Sequence, residues 1–513
     1  MTTEDKVLPF AAAGAVFNRL RAEGKKIVQC HGTFDLLHPG HIYHLEEARS
    51  LGDVLVATVT TEKHVNKGPG RPFFNDQLRT KSLAALECVD YVVLIPHPAA
   101  VEAIDCVKPD IYCKGKEYED PENDVTGNIG EDVKAVARHG GKVHYIGSVV
   151  FSSTKLLNNH FESMSSSLKS YCQNLAGVCS PARLREYVES FSDLKVLLIG
   201  DVIFDRYTCV RVQGLTSKNK ILSGRFLDEE TQPGGALAIY RHLKQFCKQV
   251  SFISLTGTEA WVDATLREKV HPEEDLVVRA SEFTTIIKQR YVEPLSAGKE
   301  LSKLFAVNYM DAEPPGPAVQ NEIQQRITSR IKDYDLVVVA DFGHGLLQPE
   351  LRKLIQESAR FLSLNCQTNS NNHGFNIISK QYQRVDAFSL DEQELLLSCA
   401  RRPIVHIEEL KLLRSHLKAR YAWLTRGAIE TTGLAEGEEP SSCQPLEDSV
   451  VDTVGAGDAF FAVVSLAAAS KVPVNVATFL GQLAGAQAVK IIGNHEPISK
   501  QRLLKSGMAL LNF

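Results

Sequence analysis

At 513 residues the chain is too long for one ordinary hydrophobic core, so two or three domains are expected. A hydrophobic content of 44% and a charged content of 23% fit a globular protein. The formal net charge of −5 and a pI near 6.4 argue against a dedicated nucleic-acid or membrane-surface binder, whose basic stripe would show in the total.

Eleven cysteines are scattered with no CxxC spacing, which reads as reduced thiols in a cytoplasmic protein rather than zinc ligands or a disulfide framework. The first twenty residues lack the basic start and cleavage site of a signal peptide. The longest apolar stretch, Ala459 to Ala469, is too short to span a bilayer, so no membrane role is expected.

In chain order, KKIVQC (25–30) reads as a strand, and Gly40 to Leu51 has helical spacing through Ile42, Leu45 and Ala48. VLVATVT (54–60) and YVVLIP (91–96) are further strands, so the alternation points to a parallel sheet covered by helices. Residues 161 to 190 read as a connection: a Ser-rich, partly helical stretch, then Ser180 and Pro181 opening the helix ARLREYVESF. Strands at KVLLIG (195–200), VSFISL (250–255), DLVVVAD (335–341) and AWLTR (422–426) build a second α/β domain, which closes into a helix at Gly455. The expected division is 1–160, a connection over 161–190, and 191–513.

The first half carries HGTFDLLHPGHIYHLEEA (31–48). A strand leading into Gly32 and Thr33, with a helix beginning near Gly40, aims backbone N–H groups at a phosphate-sized space. His38 and His41, three residues apart at that junction, can both donate to charge building on an α-phosphate under attack. His31, His38, His41 and His44 could suggest a metal, but no carboxylate or thiolate completes a tetrahedral set.

This segment resembles the cytidylyltransferase-like nucleotidyltransferases. With residues 63–93, KPDIYCKGKEY (108–118) and FSSTKLL (151–157), it is most similar to the adenylyltransferase half of bifunctional ADP-heptose synthases. The resemblance implies that Thr33 and Phe34 present backbone groups to a triphosphate while His38 and His41 stabilise the transferring group. It implies further that Lys67 neutralises phosphate charge, and that Arg79 contacts nucleotide phosphate or braces the site. Ser153 and Thr154 would touch the phosphates, and Asp35 would fix the loop.

The second half carries DTVGAGDAFFA (452–462). Gly455, Ala456 and Gly457 let the backbone pass close to a phosphate at a helix N-terminus, and Asp458 there can take the proton of an attacking hydroxyl.

With GDVIFDRY (200–207), QPGGALA (232–238), VVVADFGHG (337–345) and LTRG (424–427), this half resembles the ribokinase/phosphofructokinase-B sugar kinases. The resemblance implies that Asp201 and Asp205 face sugar hydroxyls beside Gly234 and Gly235, that Thr425 and Gly427 border the nucleotide, and that Asp391 and Glu394 serve magnesium. The chain departs from the family at Ala238, where an Asn is usual, at Asp391 for Asn, and at His344 for a lysine. The domain order is also reversed relative to the common bifunctional synthase.

Together the resemblances imply an N-terminal Rossmann-like nucleotidyltransferase domain and a C-terminal ribokinase-like α/β domain with a small β lid. They imply Mg2+ and ATP, or another NTP for the transferase half; sugar phosphates and nucleoside triphosphates as partners; no nucleic acid; and a homodimer. Two other readings stay open. One is a cytidylyltransferase acting on glycerol 3-phosphate or another small phosphate, and the other is a kinase-like half that binds and regulates without turnover.

Overall fold

The computed structural model describes residues 2–65, 71–119, 129–147, 165–294, 302–311, 313–369, 372–401, 405–447 and 449–513. The chain forms two compact units, Met1–Arg185 together with Leu504–Phe513, and Glu186–Leu503.

The first unit holds β1 (Val7–Leu8), β2 (Ile27–Gly32), β3 (Val54–Thr60), β4 (Tyr91–Ile95), β5 (Ile111–Gly115) and β6 (Lys142–Ile146). They pair in the order β1-β4-β3-β2-β5-β6, all parallel. Every residue of β3 is buried, as expected when helices cover both faces of a parallel sheet.

One core layer joins Val28, Cys30 and Leu55 to Leu45 of helix Pro39–Arg49 and Leu83 of helix Asp76–Ala84. The other joins Ile27, Val56 and Val93 to Phe17 of helix Phe10–Ala22 and Val107 of helix Val101–Val107. Each fully buried aliphatic side chain contributes about 1.5–3 kcal/mol by leaving water. The chain runs from β2 outward to β3 and β4, then returns to β5 on the other side. The β2/β5 seam is therefore the sheet's topological switch point, where a crevice opens at the carboxyl ends of the strands.

The second unit begins with β7 (Lys195–Gly200), β8 (Val202–Leu215), β9 (Leu222–Gly234), β10 (Gln249–Ile253), β11 (Leu255–Thr256), β12 (Val278–Arg279), β13 (Ile286–Glu293) and β14 (Ser302–Tyr309). It continues with β15 (Leu336–Asp341), β16 (Leu362–Cys366), β17 (Ala387–Asp391), β18 (Tyr421–Thr425), β19 (Thr431–Ala435) and β20 (Ser441–Cys443). The main sheet runs β10-β7-β15-β16-β17-β18-β19-β20, parallel as far as β18 and antiparallel beyond it.

A separate sheet, β14-β13-β8-β9, forms the lid. Its strands enter from the main sheet directly after Gly200 and return at Gly234, so the inner half of β8 is buried and most of β9 is exposed. Helix Ala456–Ala469 is buried almost all round, which its AGDAFFAVVSLAAA sequence permits.

The expected α/β class and lid are present. β2 runs two residues beyond the expected Cys30, because His31 and Gly32 stay in register with Thr58 and Val59 of β3. Ser180 accepts a hydrogen bond from the Arg183 amide, and Pro181 opens its helix as expected.

Candidate functional site

In the first unit, β2 ends at Gly32 and the chain turns through Phe34, whose φ of 46° lies in the left-handed region. The Phe34 ring lies over Gly32, where a Cβ would come within 3.2 Å of it. His38 caps the helix that Pro39 opens, and one turn on His41 stacks against it with ring centroids 4.0 Å apart. Burial lowers the pKa of His38 below its ordinary value. The two imidazoles thus stand together at a helix N-terminus beside the switch point, able to donate to an anion arriving there.

Arg79 is fully buried. Its guanidinium donates to the carbonyl oxygens of Thr33 at 2.6 Å and Thr60 at 2.9 Å, and it pairs with Asp76. Of its two expected roles, this geometry is that of the brace. Asp35 accepts from the Phe74 amide at 3.0 Å and from Arg71 at 3.4 Å, tying the loop down. His31 hydrogen-bonds Thr58 at 3.0 Å and Thr60 at 3.3 Å, and burial with the nearby Lys114 pushes its pKa down to about 3. It therefore stays neutral and structural. Lys67, Ser153 and Thr154 lie outside the described residues.

In the second unit the switch point falls between β7 and β15. Asp201, just after β7, is buried and accepts from the backbone N–H groups of His344 and Phe342 beyond β15. Burial and the neighbouring Asp341 push its pKa up to about 7. Asp205 pairs with Arg290 of β13. Gly234 and Gly235 permit this crowding: a Cβ on Gly234 would lie 2.2 Å from Asp205 Oδ2, and one on Gly235 would lie 2.9 Å from the Asp201 carbonyl.

Gly455 caps the buried helix with φ 84°, leaving the first-turn amides facing outward, and Asp458 sits in that turn. Its carboxylate accepts from Gln367 Nε2 at 3.1 Å. Burial and Asp205 raise its pKa to about 7, against the opposing pull of Gln367 and Lys288. A carboxyl group in that range can take up or release a proton near neutral pH.

Sequence reading missed Gln367 and Lys288. Gln367 follows β16, and the carboxyl end of a parallel strand was the signal available. Lys288 lies on the lid strand β13, near Asp205, Asp201 and Asp458, with its ammonium 5.8 Å from the Phe342 ring centroid. No motif marks it.

Asp391 and Glu394, the pair expected to serve magnesium, have a structural role in this fold. They form a reciprocal capping box: Asp391 Oδ1 accepts from the Glu394 amide at 2.8 Å and Glu394 Oε2 from the Asp391 amide at 2.9 Å. The other Glu394 oxygen accepts from the Thr368 amide at 3.0 Å. Each Glu394 oxygen thus holds a backbone amide, and burial raises the pKa of the group to about 8. Among the described residues no group of three His, Cys, Asp or Glu could hold a metal ion. Thr425 ends β18 and reaches the Leu390 carbonyl at 3.4 Å, and Gly427 turns with φ 52°. Ala238 is buried within helix Gly235–Leu243, and His344, whose amide donates to Asp201, has a buried Nε2 with no partner.

Residues 30–159 match the cytidylyltransferase-like family model. The chain is 41% identical over 152 residues to the bifunctional protein HldE of Methylobacillus flagellatus and 43% identical over 136 residues to that of Syntrophotalea carbinolica. These stretches make up 29% and 26% of this chain and 30% and 26% of those proteins, so the chain spans under a third of the curated relatives it matches.

Among solved structures it is similar to a point mutant of phosphofructokinase-2 from Escherichia coli and to the same enzyme in complex with potassium. Both have a TM-score of 0.50 at 14% identity, covering 62% of this chain and 99% of theirs. That share exceeds the N-terminal unit, and at such identity it shows the fold alone. Residues 30–159 are thus a cytidylyltransferase-like domain, joined in one chain to a unit with the fold of phosphofructokinase-2.

Proposed function

We propose that the chain is a bifunctional enzyme of sugar-nucleotide synthesis. The C-terminal unit would phosphorylate a hydroxyl of a heptose-like sugar or sugar phosphate with ATP, magnesium arriving with the nucleotide. The N-terminal unit would transfer a nucleotidyl group, from ATP or another NTP, to a sugar 1-phosphate. The transferase would occupy 1–160 and the kinase 191–513, with 161–190 between them.

In the kinase step the acceptor oxygen attacks the γ-phosphorus, Asp458 takes its proton, and the bond to the β-phosphate breaks to release ADP. The amides of the Gly455 corner hold the transferring oxygens. In the transferase step a phosphate oxygen attacks the α-phosphorus and pyrophosphate leaves, while His38 and His41 donate to the charge that gathers. The observation that carries the reading is the Asp458 carboxylate in the first turn of a glycine-capped, buried helix, held by Gln367. The His38–His41 stack does the same for the other unit.

A reducing, cytoplasmic location suits eleven cysteines that are all free thiols. No helix among the described residues is long and apolar enough to cross a membrane. A homodimer through the lid is supported by exposed Leu215, Phe226 and Phe305 on its strands and Ile221 in the turn before β9.

Reciprocal variants test the assignment. Asp458→Asn should abolish ATP-dependent sugar phosphorylation and spare pyrophosphate release, while His41→Ala should do the reverse. Loss of both activities from either substitution in a folded protein would refute two independent sites. The capping role of Asp391 and Glu394 favours a second reading, in which the C-terminal unit binds and regulates without turnover, beside a cytidylyltransferase that uses a small phosphate acceptor. Mass-spectrometric product analysis with four NTPs and a panel of sugar and polyol phosphates separates the two.

A further inference from the structure

Asp452 opens the DTVGAGD segment, and its side chain is wholly buried. Four donors from four segments converge on this one carboxylate. The Val454 amide reaches Oδ1 at 3.2 Å, from the corner itself. The Gly493 amide reaches Oδ2 at 2.9 Å. The other two come from the lid: Tyr207 Oη on β8 donates at 3.0 Å and Lys303 Nζ on β14 at 2.9 Å. Burial alone would raise the pKa of Asp452, but Lys303 with the Val454 and Gly493 amides more than offsets it and the pKa falls. The group is therefore a fixed anion, and a buried anion draws its donors into one geometry.

A second contact runs parallel to the first. Gln232, near the end of β9, accepts from the Asn494 amide at 2.9 Å. Asn494 in turn closes on Gly455, where a Cβ would lie 2.2 Å from its Oδ1. A Cβ on Gly493 would meet Gln232 Oε1 at 2.5 Å and Tyr207 Oη at 2.8 Å, so the 493–494 loop is packed against the lid strand ends as closely as glycine allows. Three of the four lid strands thus bear on the corner that carries Asp458.

We propose that Tyr207 and Lys303 are positioning residues for phosphoryl transfer, which clamp Asp452 and so set the Val454–Asp458 corner by the placement of the lid. This rests on the kinase reading. Acceptor contacts on the lid and phosphate contacts at the corner then belong to one connected piece, and an ill-placed lid leaves the anion-binding amides out of line. Neither residue touches substrate in this scheme.

The test uses the full chain with Tyr207→Phe, which removes only the hydroxyl, Lys303→Met, which removes the ammonium and its hydrogen bond, and Lys303→Arg as the conservative rescue. Hydrogen exchange of the 453–458 amides is read first, because it needs no acceptor. It should quicken about tenfold in Phe and Met variants and recover with Arg. Sugar phosphorylation should lose about tenfold or more in kcat, as small misplacements at a reacting centre do, with acceptor KM changed much less; Lys303→Met, which leaves a buried carboxylate short of its charged donor, should also lower the unfolding temperature, and Lys303→Arg should restore it. Unchanged exchange at the corner in both variants would overturn the clamp, as would kcat within twofold of the parent. A parent that phosphorylates nothing would instead refute the kinase reading, and the exchange data alone would then decide the clamp.

Discussion

Replacing Arg79 by methionine separates a brace from a nucleotide ligand. The guanidinium is fully buried and donates to the Thr33 and Thr60 carbonyls, so methionine fills most of the space but leaves two acceptors without donors. An unsatisfied buried acceptor costs about 1–3 kcal/mol, which puts the pair at about 2–5 kcal/mol. Asp76, a quarter exposed, can turn to water and adds little. For a unit of this size each kcal/mol moves the midpoint by about 2–4 °C, so the first unit should melt about 5–15 °C lower. Arg79→Lys, able to reach one carbonyl, should fall between.

Calorimetric unfolding of the full chain reads the shift, and nucleotide titration into the same variant reads affinity. The reasoning fails if the methionine variant melts within about 2 °C of the parent while its NTP affinity drops more than about tenfold, because that result would make Arg79 a phosphate ligand.

Other outcomes follow from the same geometry. His41→Ala should lower pyrophosphate release by about 10²–10³-fold with the unfolding temperature unchanged, the usual cost of removing one donor to a developing charge. Because burial and Asp205 raise the pKa of Asp458 to about 7, the base is protonated below that value and free above it. Sugar phosphorylation should thus fall about tenfold per pH unit on the acid side of 7 and level off above, as a pH–rate profile would show. Gly234→Ala places a methyl 2.2 Å from Asp205 Oδ2, so Asp205 must leave Arg290. Overpacking of about 1–3 kcal/mol and a rise of about tenfold in acceptor KM at unchanged ATP KM are expected in steady-state kinetics.

Much of the fold was legible where local chemistry and burial agree. β3 and β15 are buried on both faces and read as unbroken apolar runs, and the helix after Gly455 is announced by its glycine corner. The lid was legible only through family resemblance. Most of β9, as LSGRFLDEETQPG, and most of β14 face water, so no hydrophobic period marks them and pairing across the sheet decides their strand form.

The site divides in the same way. Asp458, His38 and His41 stand in motifs whose spacing carries the chemistry. Gln367 and Lys288 reach Asp458's surroundings from elements 91 and 170 positions away in sequence, a relation only tertiary packing creates. Asp391 and Glu394 carry two signals at once: Asp followed three places on by Glu is also a helix N-terminus signature, and the capping geometry is present.

The face-to-face imidazoles of the first unit have a further bearing on how that half meets its nucleotide. At 4.0 Å two positive rings would repel by about 4 kcal/mol in a partly screened setting, so charging both is opposed until an anion lies against them. A polyanion settling against both rings reverses that balance and draws a proton from solution as it binds. The heat of nucleotide association should therefore vary with the ionisation enthalpy of the buffer, and affinity should weaken as the medium grows more alkaline.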